Sequence, residues 1–123
     1  MSSDSNKVIY LKRPKKFTLE QAKALISKVK KVTEEAVEEV TPLMNELQQD
    51  SLDRFEKEEL VQNLQERIDE WSDEIVELGA LTKGLWLVDF DSGSGYYCWQ
   101  YGEDDISFFH GYDEGFSRRI PIQ

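Results

Sequence analysis

Residues 84–116 read GLWLVDFDSGSGYYCWQYGEDDISFFHGYDEGF. This stretch holds ten of the fourteen aromatic residues, six of the seven glycines, the one cysteine and the one histidine. Short apolar runs separated by glycine-containing turns are the signature of antiparallel strands. Residues 85–90 read as a first strand, 91–95 as a flexible turn, 96–101 as a second strand, 102–104 as a tight turn and 106–110 as a third. Side chains alternate along a strand. Tyr97, Trp99 and Tyr101 are therefore expected on one face, with Ile106 and Phe108 as cross-strand neighbours, packing on whatever precedes the sheet. Cys98 and Phe109 fall on the other face, and Cys98 is expected to point away from His110. The end of the chain, 117–122, reads as an extended tail.

What precedes the sheet is charged and periodic. Thr18 can cap a helix with Gln21 at the reciprocal position. Apolar residues then recur at Ala22, Leu25, Ile26, Val29, Val32, Ala36, Val37, Val40, Leu43, Met44 and Leu47, in steps that suit one helical stripe. Pro42 predicts a kink within it. A polar turn near Asp50 separates this from a second stripe: Leu52, Phe55, Leu60, Val61, Leu64, Ile68, Trp71, Ile75 and Leu78, closed by Gly79. Reversal at about residue 50 sets Val29 beside Trp71 and Val40 beside Leu60, partners summing to roughly 100 given equal rise on both helices. The same register places Lys23, Lys28, Lys30 and Lys31 beside the acidic residues of 69–77.

The predicted fold is α+β, mainly α: a single domain with a basic arm (1–16), a long antiparallel helical hairpin (17–79) and a three-stranded antiparallel sheet in a β-rich segment (84–123). A hairpin of this length, about 45 Å, cannot bury both flanks alone. A second copy is expected to cover the remainder, a homodimer in a four-helix bundle joined through Val32, Val37, Val40, Met44, Leu60 and Leu64.

Composition excludes more than it assigns. The net charge is −10, yet the first 31 residues carry nine Lys or Arg against Asp4 and Glu20. A basic arm on an acidic body raises nucleic-acid binding as a third possibility, weakened because the helical register answers much of the basic block with the chain's own acidic residues; the aromatic set as a base-stacking platform is disfavoured by Glu103, Asp104 and Asp105 beside it. No apolar run reaches membrane-spanning length, and one cysteine forms no internal disulfide. Both point to a cytoplasmic protein with no membrane partner.

The motifs Gly84-x-Trp86-Leu87-Val88-Asp89-Phe90, Cys98-Trp99-x-x-Gly102-Glu103 and His110-x-x-Asp113-x-Gly115-Phe116-x-x-Arg119 resemble a prokaryotic family known as a domain of unknown function. Its members look like a capped helical hairpin beginning Phe-Thr-Leu-Glu-Glu-Ala, matched by residues 17–22. The resemblance covers about 17–120 and implies the fold but no activity.

Asp89, Glu103, His110, Asp113, Arg118 and Arg119 form the candidate polar cluster. His110 and Asp113, with Asp89 or Glu103 from neighbouring strands, are types that bind manganese, iron or zinc, or that pair as acid and base, hydrolysis included. The structural alternative has His110 closing a turn and Arg119 pinning the tail to a carboxylate. The residues assign no cofactor, substrate or enzymatic activity. The leading expectation is a non-enzymatic protein that self-associates, ahead of a metal or ligand site at Asp89, His110, Asp113 and Arg119.

Overall fold

A computed structural model describes residues 15–123. Most of the basic arm, the apolar run 8–11 expected as an edge strand and the nucleic-acid contact expected there all lie outside the described residues. Lys15 and Lys16 are tied down. Lys15 donates its N–H to the Gly79 carbonyl at 3.0 Å, and Phe17 donates to that of Asp91 at 2.7 Å.

Helix α1 (Leu19–Ala24) opens on the expected box. Thr18 Oγ1 accepts from the Gln21 amide at 3.1 Å, and Gln21 Oε1 accepts from the Thr18 amide at 2.9 Å. Such caps are worth about 1 kcal/mol. After a one-residue pause at Leu25, α2 (Ile26–Leu47) carries the stripe onward with Pro42 inside it. Helix α3 (Arg54–Glu77) opens on a second reciprocal box, Asp53 with Glu56, which the sequence reading missed.

The two long helices are antiparallel, as Trp71–Thr33 and Arg67–Glu39 contacts require. These partners sum to 104 and 106, so the register is offset from the expected 100. The cause is the turn: α3 starts only at Arg54, three residues beyond the polar run assigned to the reversal. The lysines consequently find different partners. Lys23 lies 3.8 Å from the Asp105 carboxylate and Lys30 donates to the Asp104 carbonyl at 3.1 Å, both in the sheet's loop. Lys28 alone lines the groove beside Asp73 and Glu74.

Among the described residues the sheet has five antiparallel strands, not three, in the order β1 (Leu81–Gly84), β2 (Leu87–Asp91), β3 (Tyr96–Gln100), β4 (Phe108–His110) and β5 (Ile120–Pro121). The expected first strand is really the β1–β2 turn plus β2. Trp86 sits in that turn at φ 62°, a left-handed conformation unusual for a bulky residue. Its ring packs edge-on against Trp71, centroids 4.9 Å apart, and this contact holds it there. The tail pairs with β4 and becomes the fifth strand.

One core joins hairpin to sheet. Ala22, Val29, Ala36, Trp71 and Ile75 from the helices meet Phe17, Val88, Phe90, Trp99 and Ile106. Burying each large apolar side chain contributes about 1.5–3 kcal/mol. Val40 and Leu60 are also buried, within one chain, and are therefore withdrawn from the expected dimer surface. Val32, Val37 and Leu64 are half-buried, and Met44 is exposed.

Strand register corrects the expected faces. Val88 faces Trp99 and Phe90 faces Tyr97 on the helix side, and Tyr97 pairs with Phe109. Phe109, not Phe108, is the residue packed inward. Ile106 is in the core as expected, but it precedes β4 in irregular chain, so alternation does not carry from it to Phe108. Tyr101 lies beyond β3 and is exposed. Among the described residues, no helix is long and apolar enough to cross a membrane.

Candidate functional site

The outer face of the sheet is set by the same registers. Asp89 pairs with Cys98, Cys98 with Phe108, and Tyr96 with His110. Asp89, Cys98 and His110 therefore rise from three adjacent strands on one face, and Cys98 stands with His110 rather than away from it. An outer face of an antiparallel sheet ordinarily meets water. Here the return 111–119 folds over it, and the three side chains are 2%, 1% and 4% exposed.

That cover is held by named contacts. The Tyr112 hydroxyl donates to Asp91 and its ring meets Tyr96 edge-on, centroids 5.0 Å apart. Burial alone would raise the Asp91 carboxyl, but bonds from Tyr112, the Gly93 amide and Lys16 leave it below its ordinary value. The same bond to Asp91 holds the Tyr112 phenol above its own. Arg119 is stacked between Phe108 and Phe116, 4.0 and 4.1 Å from their centroids, and forks onto both Glu103 oxygens at 3.1 and 3.0 Å. That fork pins the tail, as the structural alternative expected.

Within the trio, His110 Nε2 lies 3.2 and 3.1 Å from the two Asp89 oxygens, and Nδ1 lies 3.0 Å from the Gly111 carbonyl. With Nδ1 donating to that carbonyl, the Nε2 lone pair faces the carboxylate, an arrangement that a cation between the two would complete; with Nε2 donating to Asp89, the pair closes within the protein. The Cys98 sulfur completes the set, with the three ligand atoms within 4.8 Å of one another. Burial pushes the Cys98 thiol up to about 12, helped by the Asp89 carboxylate and opposed by the Arg119 guanidinium. In the metal-free protein the thiol should stay unmodified by iodoacetamide at neutral pH and react once denaturant is added. Mass spectrometry reads both states.

Four of the six expected polar residues are thus connected through Cys98, the residue expected to point away from His110: His110 to Asp89, Asp89 to Cys98, Cys98 to Arg119 and Arg119 to Glu103. Asp113 and Arg118 are not in this chain; both are exposed on the return, and Arg118 lies 3.9 Å from Glu114. Beside the trio is a cavity of about 140 Å³, bounded also by Lys83, Leu87, Tyr96, Tyr112, Glu114 and Phe116. Lys83 and Glu114 were not singled out from sequence. Only the bulge of β1 and the return of 111–119 bring them to the trio.

The family described as "Uncharacterized conserved protein (DUF2203)" matches residues 15–122, nearly the whole chain, and the protein belongs to it. No curated protein and no solved structure matches the chain.

Proposed function

We propose that this family member is a metal-dependent protein whose Asp89, Cys98 and His110 hold a divalent transition ion, zinc or iron(II). The carrying observation is the Nε2–carboxylate contact at 3.1 Å with a cysteine sulfur beside it. One nitrogen, one oxygen and one sulfur donor suit zinc and iron over magnesium or calcium, which prefer oxygen alone. Asp89 and a Cys98 thiolate would balance a dication, with His110 neutral and Arg119 already balanced by Glu103. The Gly111 carbonyl on Nδ1 orients the ring with Nε2 as ligand, and Arg119 supports the sulfur, the outer support metal sites ordinarily have. Three protein ligands beside a cavity leave a fourth position for water or substrate, the arrangement of catalytic rather than closed structural sites. Metal-assisted hydrolysis is the chemistry this supports.

The test is zinc affinity by competition with a chromophoric chelator. Loss of an outer support costs about 10–100-fold, so His110→Ala or Cys98→Ser, each removing a ligand, should weaken binding by about 100-fold or more. Wild-type protein that fails to take up zinc or iron(II), or variants that bind as well as it does, would end this reading.

Self-association is the second reading, favoured by large apolar side chains at the hairpin's turn. Phe55 is 82% exposed, Val61 51% and Met44 41%. The contact surface then sits at the turn rather than along the expected stripe, since Val40 and Leu60 are consumed within one chain. Sedimentation at micromolar concentration should give twice the chain mass, and Phe55→Glu with Met44→Glu should halve it. A monomeric wild type removes the idea.

A further inference from the structure

We infer that the cavity beside Asp89, Cys98 and His110 takes a small molecule by an oxyanion group, carboxylate or phosphate, gripped by Lys83 opposite the metal position. This rests on the metal reading above. Strands β1 and β2 pair at Thr82–Val88 and again at Gly84–Leu87, which leaves Lys83 as the extra residue of a bulge. Bulges re-aim side chains and gather beside functional sites.

From the bulge Lys83 reaches across β2. Its Nζ lies 3.4 Å from the Tyr96 hydroxyl and 4.6 Å from the centroid of the Tyr96 ring, two strands away. Tyr96 is paired with His110, and Lys83 and Tyr96 line the same cavity as the trio, so the ammonium is held at the wall of that cavity. Lys83 is, among the described residues, the single lysine or arginine bounding the cavity. Among the described residues, no carboxylate lies within ion-pair distance of it, and its ammonium contacts Tyr96. Glu114, the other charged group at the rim, is already engaged by the Gly111 amide at 3.1 Å and by Arg118.

The charges make the case. Two anionic ligands balance a dication, so the ammonium is the surplus charge and an arriving anion its counterpart. A cavity of about 140 Å³ admits only a small molecule; drug-sized ligands fill roughly 300 Å³ or more. Leu87, Tyr96 and Phe116 offer apolar wall to the remainder of it.

The experiment is calorimetric titration of inorganic phosphate, and separately of acetate, into zinc-loaded wild type and zinc-loaded Lys83→Met. Binding of either anion to wild type, weakened about 10-fold or more in the variant, is the expected result; which anion binds identifies the source. Lys83 is exposed and is not a ligand, so zinc affinity should be the same in both proteins, which also reports that the variant is folded. Zinc-loaded wild type that binds neither anion, or Lys83→Met that binds them equally well, overturns this inference and leaves the metal reading standing. Failure to load zinc overturns both.

Discussion

Trp71→Ala should destabilise the protein by about 3–5 kcal/mol, the range for deleting a fully buried aromatic side chain. A domain of this size has about 5–15 kcal/mol in total, so the variant would stand near the edge of folding. Trp71 is 1% exposed and belongs to the core cluster where both long helices meet the sheet. It also holds Trp86 in its left-handed turn and donates its indole N–H to Thr33 Oγ1 at 2.8 Å. The hydrogen bond can be separated from the packing. Thr33→Val strands a buried indole N–H and should cost about 1–3 kcal/mol. Thr33→Val with Trp71→Phe removes both polar partners, so the double variant should be more stable than the sum of its singles implies. Urea denaturation midpoints at constant slope read all five proteins: wild type, Trp71→Ala, Thr33→Val, Trp71→Phe and the double variant. A Trp71→Ala variant within 1 kcal/mol of wild type, on the scale of a surface change, would mean this core is not where the hairpin and sheet are joined.

Zinc should raise stability, because an ion that binds the native state and not the unfolded chain adds RT ln(1 + [L]/Kd). At free zinc 100-fold above Kd the gain is about 2.7 kcal/mol, several degrees in Tm for a chain of this length. Magnesium, which favours oxygen donors, should give little at the same concentration. The gain should vanish in Cys98→Ser and in His110→Ala, whatever those changes do to the metal-free protein. Each variant is therefore compared with itself, with and without zinc, by calorimetry. A wild-type transition indifferent to zinc would contradict the metal site, independently of any enzymatic assay.

The elements were legible where period and capping spoke together. The Thr18 box and both helical stripes follow from spacing, and so does β3, whose aromatics alternate cleanly. Legibility failed where a single residue sets parity. Placing Ile106 inside a strand put Phe108 inward; its true place in irregular chain, with β4 beginning at Phe108, exchanges Phe108 and Phe109 and carries His110 to the Cys98 side. In a sheet, one residue of slip exchanges the faces. The polar cluster is half visible for a related reason: the sequence singles out Asp89, Glu103, His110 and Arg119, but alternation sets Cys98, which links them, on the face away from His110. Asp113 was chosen by its nearness to His110 in sequence, whereas Glu114 is the return's carboxylate at the cavity. β1 and its bulge carry no alternation strong enough to find, since Leu81–Gly84 has one aliphatic side chain in four residues.

Among the described residues, every side chain at the cavity comes from the sheet and its return, and none from α2 or α3. The helical pair is in effect an outrigger, some 30 Å from head to heel at 1.5 Å per residue, whose far end carries Phe55, Val61 and Met44. Whatever grasps that heel stands clear of the head, leaving its doorway open to solutes. Two copies joined heel to heel would face their doorways outward, so crowding at one pole need not obstruct traffic at the other.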